Sequence, residues 1–388
     1  MTDQLKIRRP DDWHVHLRDG TMLQFVLPYT AKLFGRALVM PNLTPPVLTA
    51  EDMRVYRGWI QSHCKRLDLE FEPMMTVKLV PESTPAMIRE AKKAGAIAGK
   101  LYPQGVTTNS EDGWSDLRVM WPVFEAMEEV GMVLCLHGEE PAEFVMDRER
   151  AFAKKPLHQI ARDFPKLTII MEHITTQEAA VMVTSILDNV YATVTPHHLE
   201  ITLDDVIGGA LRPHLFCKPI AKRKEDRDAV LGAAIHCDKV FLGTDSAPHA
   251  IGRKECDHGC AGVFNALTAL PVVAEVFEKH GALDKLEEFT SLRGAACYGV
   301  EPHEETVLLK KESWPVPEVL RDETLGIEVK PYRGGTHCNW RVIDVQTLEY
   351  ARGRSDKRAG HGPSLLGGAY MRGYSSTHRR VEDDDSPW

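Results

Sequence analysis

The sequence contains no apolar run long enough to cross a membrane. Its first residues, MTDQLKIRRPDDWH, hold no apolar stretch of signal-peptide length. It also lacks a long basic run with interleaved aromatics, and its net charge of -9 offers no footprint for nucleic acid. No GxGxxG or Walker loop follows an early apolar run, so the commonest nucleotide-binding signatures are missing. Cysteine occurs eight times in 388 residues without a secretory signal, which predicts reduced thiols rather than a disulfide framework. These absences point to a cytoplasmic protein acting on small molecules, with neither a membrane nor nucleic acid as partner. Hydrophobic content of 43% and charged content of 27% are globular proportions. A chain of this length accommodates two ordinary domains, or one α/β barrel with extensions.

What is present is an alternation. Eight short apolar runs occur in order: WHVHL (13–17), RALVM (36–40), EPMMTVKLV (72–80), AIAGKLY (96–102), GMVLCLH (131–137), LTIIMEH (167–173), VYATVT (190–195) and KVFLGTD (239–245). Several are continuously apolar, as strands buried on both faces must be. Between them lie segments of helical composition, among them PESTPAMIREAKKAG and SDLRVMWPVFEAMEEVG, each ending in a glycine that stops a helix. Repeated βα units require parallel strands and right-handed crossovers. Eight of them predict a (β/α)8 TIM-like barrel, with an open doubly wound sheet as the structural alternative.

The polar residues of these runs sit at their C-terminal ends. His14 and His16 are on the first, Lys100 is near the end of the fourth, His137 ends the fifth, His173 the sixth and Asp245 the eighth. Asn42 follows the second. A barrel gathers those ends on one face. Two histidines one residue apart share a face if extended, and two imidazoles are half of a metal site. Four histidines and an aspartate converging there suit Zn²⁺ or a similar divalent ion. Lys100 is the odd member, because an ammonium repels a metal. A neutral amine could instead add CO₂ and become a bridging carbamate, or the lysine could pair with a carboxylate; chemistry alone leaves both open. Arg18 follows His16 by two residues and should share its face, where its planar fork suits a carboxylate. It could equally pair with Asp12 or Asp19, Asn42 could cap a turn after Pro41, and His249 could be a plain loop residue.

These residues carry a resemblance. DDWHVHLRDG, RALVMPNLTPPV, GKLYP, TTNS, LHGE, EHITT, TPHHL and FLGTDSAPH follow the order of blocks seen in dihydroorotases of the amidohydrolase superfamily, from about residue 7 to the neighbourhood of 342. The HxH pair is weakly specific and the ordered set highly so. The resemblance implies reversible cyclisation of N-carbamoyl-L-aspartate to L-dihydroorotate, in pyrimidine biosynthesis. It implies two zinc ions per chain. His14, His16 and Asp245 would hold the more buried one, His137 and His173 the other, and carboxylated Lys100 would bridge them. Asp245 would move the proton. Arg18, Asn42 and His249 would hold the substrate carboxylate, backbone groups at Ala261 and Lys218 would meet the ring, and Thr107 and Thr108 would bind substrate from a lid-like loop over 102–114. Lys218 departs from the leucine of many relatives. A homodimer is implied by family alone.

Other features read as ordinary. Cys256, His258 and Cys260 have no second pair at zinc-finger spacing and read as a loop with reduced thiols. His197 and His198 read as structural or supporting residues. KRKEDRD at 222–228 reads as a solvated helix start. A metal-dependent barrel over residues 1–345 is expected, followed at 346–388 by a Gly-, Ser- and charge-rich extension expected to be disordered. Two other functions compete: a hydantoinase-like cyclic-amide hydrolase, which the carboxylate-binding trio disfavours, and a non-catalytic scaffold, which the full set of ligands disfavours.

Overall fold

Strand β1 (Gln4–Arg8) lies outside the apolar runs marked in the sequence, and the next eight strands coincide with them. These are β2 (Asp12–Val15), β3 (Arg36–Val39), β4 (Glu72–Leu79), β5 (Ala96–Leu101), β6 (Val133–Leu136), β7 (Ile169–Met171), β8 (Val190–Val194) and β9 (Val240–Leu242). The computed structural model describes residues 3–343 except 108, 109 and 115; the expected C-terminal extension lies outside the described residues. β2 to β9 form one eight-stranded sheet in sequence order, with parallel neighbours. A parallel bridge between Val15 and Ser246 joins its ends. Backbone hydrogen bonds from His16 N to Ser246 O (3.1 Å) and Asp245 N to His14 O (2.8 Å) close the same seam. The (β/α)8 barrel is therefore present, and its closure runs through three of the residues singled out for chemistry.

The strands are apolar because the barrel leaves them no wet face. Every residue of β2, β3 and β6 is buried. The helices follow their caps. Thr84 Oγ1 accepts from Met87 N (3.3 Å) to open helix Pro85–Lys93, and Gly131, at φ +61°, ends helix Trp121–Val130. That position favours glycine because the left-handed region crowds a Cβ.

One close approach seals the barrel floor. Trp13 stacks on Tyr298 with ring centroids 4.3 Å apart. A Cβ at Gly294 would fall 2.0 Å from Trp13 Nε1. Gly294→Ala must displace a fully buried indole, so we expect a loss of about 1–3 kcal/mol, the usual cost of overpacking a core. A urea unfolding midpoint unchanged in this variant would contradict that packing.

Three features differ from the sequence reading. β1 pairs antiparallel with β10 (Thr306–Pro315), which pairs with β13 (His337–Ile343), giving a small separate sheet. β11 (Leu320–Asp322) and β12 (Ile327–Val329) form a further antiparallel pair. These strands are only half-buried and mix charged and polar residues with their apolar ones, so they carry no long apolar run. Lys222 is not solvated: it is buried and donates to Ile220 O at 2.7 Å, while the helix itself begins at Lys224.

Candidate active site

The ends of β2, β5, β6, β7 and β9 meet in one pocket. Its lining includes His14, His16, Arg18, Asn42, Tyr102, Thr107, His137, His173, Lys218, Asp245 and Ala261. All the metal-ligand candidates except Lys100 are on that wall, and Lys100, on β5, is completely buried behind it. Thr108 lies outside the described residues.

The histidine geometry follows from the hydrogen bonds behind each ring. His14 Nδ1 stands 2.9 Å from the buried Glu172 carboxylate, which only accepts, so Nδ1 carries a proton and Nε2 is the nitrogen turned to the pocket. Thr193 Oγ1 donates to the same Glu172 oxygen at 2.5 Å and so fixes its orientation. His14 Nε2 then lies 3.4 Å from His16 Nε2, and both approach Asp245 Oδ1, at 3.4 and 3.1 Å. Burial pushes His16 down to about 4, so its ring is neutral. Burial alone would raise the Asp245 carboxyl, but the hydrogen bond from His16 and the neighbouring imidazoles hold it well below the usual carboxylate range. An ionised carboxylate, the neutral His16 ring and His14 Nε2 thus crowd one point, an arrangement that a divalent cation relieves. Gly243 makes room for it: a Cβ there would sit 2.9 Å from His14 Cβ and 2.8 Å from Thr193 Cβ.

The second half is built the same way. His137 Nε2 stands 2.7 Å from Glu139 Oε2, which assigns the proton to Nε2 and leaves Nδ1 bare. His173 sits between its neighbours, edge-on to His137 with ring centroids 4.8 Å apart and tilted against His14 at 5.0 Å. Its Nδ1 is buried without a partner, and burial keeps the ring neutral. The turn after His173 is pinned by Glu149, which accepts from Thr175 N (2.8 Å), Thr176 N (2.9 Å) and Thr176 Oγ1 (2.8 Å), and from Thr175 Oγ1.

Lys100 shows no carboxylate partner among the described residues; the Tyr102 ring lies 5.2 Å from its Nζ. Its Nζ is buried without a hydrogen bond and forms no ion pair among the described residues. Burial lowers its pKa, against the pull of Glu172, Cys135 and Asp245. A buried amine without a hydrogen bond, its pKa lowered by burial, beside converging imidazoles fits a carbamate that two cations would hold. The donor set therefore fits a pair of divalent ions.

Arg18 reaches the pocket by a different route from the one its spacing predicts. β2 ends at Val15, and Arg18 sits in the left-handed region at φ +60°, its carbonyl held by Tyr56 Oη at 2.7 Å. It pairs with neither Asp12 nor Asp19. Its Nε donates to Pro248 O (3.1 Å), and Nη2 lies 3.1 Å from His249 Nε2. His249 Nε2 is also 3.0 Å from Ala261 O, which gathers three of the proposed substrate contacts. Of the five non-glycine residues at positive φ among the described residues, three are Arg18, His173 and Asp245. Holding such residues there costs about 1–3 kcal/mol each, and strain of this kind concentrates at functional sites.

The loop over 102–114 is tied across its base, Trp114 N to Tyr102 O at 3.1 Å and Gln104 N to Trp114 O at 3.0 Å, and Lys78 pairs with Asp112. Thr107 N donates to Ser110 Oγ at 3.0 Å. His198 is buried between Thr195 Oγ1 (2.9 Å), Pro219 O (3.1 Å) and Cys217 Sγ (3.4 Å), and His197 lies 3.1 Å from Asn265 Nδ2, both in supporting positions outside the pocket lining. Cys256 is exposed and Cys260 half-buried, both as free thiols. Glu172, Glu139, Glu149 and Thr193 were not singled out in the sequence, although Glu172 stands beside His173 and Glu139 two residues after His137.

Comparison with known proteins agrees with this geometry. Residues 12–308 match the Amidohydrolase family. A dihydroorotase from Teredinibacter turnerae is 46% identical over 346 residues, 88% of this chain and 99% of that protein. The crystal structure of a Campylobacter jejuni dihydroorotase superposes with a TM-score of 0.81 at 40% identity, covering 88% of this chain and 98% of that one. That of the Saccharomyces cerevisiae dihydroorotase in complex with 5-fluoroorotic acid gives 0.82 at 33% identity, covering 88% and 99%.

Proposed function

The chain belongs to the amidohydrolase family, as one of its dihydroorotases, and on that premise we propose how its residues carry the reaction. The reaction interconverts N-carbamoyl-L-aspartate and L-dihydroorotate with loss or gain of water. The observation that supports the reading most is the convergence of imidazole nitrogens and the Asp245 carboxylate beside a buried Lys100 whose Nζ has no hydrogen bond. His14, His16 and Asp245 would hold one zinc ion, His137 and His173 a second, and Lys100 as its carbamate would bridge them. When bound, such ions polarise the carbonyl under attack and make water acidic.

The chain's own groups do the rest. Asp245 Oδ1 faces the histidines, which leaves Oδ2 to take the proton. In ring opening that oxygen removes a proton from the attacking water and returns it to the departing ring nitrogen. In ring closure it removes one from the carbamoyl nitrogen as that nitrogen attacks the side-chain carboxyl, and delivers it to the carboxyl oxygen whose bond to carbon breaks; with a second proton from solvent that oxygen leaves as water. Arg18, with Asn42 and His249, holds the other carboxylate so that the reacting atoms stay in register. Backbone groups at Ala261 and Lys218 orient the ring, and the Thr107 and Thr108 hydroxyls contact it from the loop. The working molecule is a cytoplasmic homodimer in this reading.

The test is direct. Purified, zinc-loaded protein should hydrolyse dihydroorotate and cyclise carbamoyl-aspartate; turnover of a neutral hydantoin with neither of these would overturn the substrate assignment. Arg18→Lys keeps the charge and loses the fork. It should raise KM for both substrates while leaving the metal content at wild-type level, and an unaltered KM would remove Arg18 as the carboxylate anchor.

A further inference from the structure

Lysine is seldom fully buried without a carboxylate beside it, because its ammonium leaves water only where strong acceptors replace the water. Lys254, the last residue of the short helix Ile251–Lys254, is 3% exposed and pairs with no carboxylate among the described residues. Its Nζ donates instead to three carbonyls, Phe216 O at 2.9 Å, Cys260 O at 2.9 Å and Gly262 O at 2.6 Å. An ammonium carries three donors and no acceptor, so one atom serves all three oxygens.

Those carbonyls belong to two segments far apart in sequence. Phe216 stands two residues before Lys218, and Cys260 and Gly262 flank Ala261. Lys218, Ala261 and Gly262 all line the pocket, whereas Lys254 is not part of that lining. One backbone bond, Gly262 N to Phe216 O at 2.9 Å, joins the segments directly, and Lys254 adds a bond on each side of it. Cys260 N also donates to Arg253 O at 2.8 Å, which seats the loop on the helix beside Lys254. The direction of the backbone follows. The carbonyls of Cys260 and Gly262 turn to Lys254, and the carbonyl between them turns to His249, 3.0 Å from its Nε2. That nitrogen is 3.1 Å from Arg18 Nη2. Holding residues 260 and 262 therefore holds Ala261 against His249 and Arg18.

We propose that Lys254 is a positioning residue for substrate binding, whose ammonium clamps the segments around Phe216 and Ala261 so that their backbone groups and His249 meet the substrate together. The proposal rests on the substrate assignment above. The hydrogen bonds of Lys254 reach no candidate metal ligand, so its loss should weaken binding and spare the chemistry.

Lys254→Met keeps the length and removes all three bonds. KM for dihydroorotate and for carbamoyl-aspartate should rise about tenfold or more, with kcat changed less than about threefold, because misplaced binding groups are costly even at a distance from the chemistry. Zinc content should equal wild type. The overall equilibrium is a property of the substrates, so the two KM values must rise by similar factors while kcat holds. A lysine that only stabilised the fold would act differently: its loss would lower the active fraction, and with it the apparent kcat, and leave KM untouched. Lys254→Gln, whose amide still has two donors, should fall between wild type and Lys254→Met, and it carries the test if the Met variant does not fold. Unchanged KM values in the folded variant, or a loss confined to kcat, would overturn the proposal. Failure of wild-type enzyme to turn over either substrate would instead overturn the reading beneath it.

Discussion

Asp245→Asn is expected to lose at least about 10²–10⁴-fold in turnover, the usual contribution of a general acid–base group, while most of the metal remains. The substitution isolates the proton. Asparagine keeps the size and a carbonyl oxygen that can still face His14 and His16, which Asp245 Oδ1 now approaches at 3.4 and 3.1 Å. It also tolerates the backbone. Asp245 sits at φ +45°, a region that Asn visits more readily than most residues. The bond from Asp245 N to His14 O, part of the barrel seam, is unaffected. What disappears is the base, and ligation weakens with the lost charge. Steady-state rates in both directions, beside metal analysis, separate the two effects. Activity retained in this variant would refute the proton role whatever the metal content.

Lys100→Ala should behave differently and lose metal and activity together. Lys100 Nζ has no hydrogen bond to give up, so the variant breaks no network in the protein itself. Its main structural consequence is a vacated volume at a fully buried position. If the lysine serves as a carbamate between two ions, removing it deletes a ligand from each, and His137 with His173 alone is a poor site. A short carboxylic acid such as acetate could enter the vacated space and supply the missing oxygens, restoring part of both metal content and rate. Retained metal and activity would show that Lys100 is not the bridge. Loss of both without any effect of added acid would leave only a packing role.

The barrel was legible because its strands are buried on both faces, which makes them continuous apolar runs, and because their polar residues stand at one end. The antiparallel sheet of β1, β10 and β13 was not, since half-buried strands that interleave charged and polar residues lack that signal. The candidate metal ligands could be read from residue type and position, and five of the six line one pocket with Lys100 buried behind it. Their orientation could not, because it is set by contacts distant in sequence: Glu172 fixes His14 from 158 residues away. Strand periodicity assigned Arg18 to the correct pocket for a reason that fails. The chain leaves the strand before Arg18, and a left-handed turn aims the guanidinium at His249 instead. Lys222 shows the opposite error. A basic run reads as solvated, but a carbonyl two residues back gives its first lysine a buried partner.

The central claim is that two ions share one bridging lysine carbamate. An anomalous-difference map of zinc-loaded crystals tests it most directly. The account predicts two peaks per chain, about 3.5–4 Å apart as two-metal sites require. One should lie among His14, His16 and Asp245 and the other beside His137 and His173, with density for an added CO₂ on Lys100 Nζ between them. A single peak, or two peaks flanking an unmodified lysine, would contradict it.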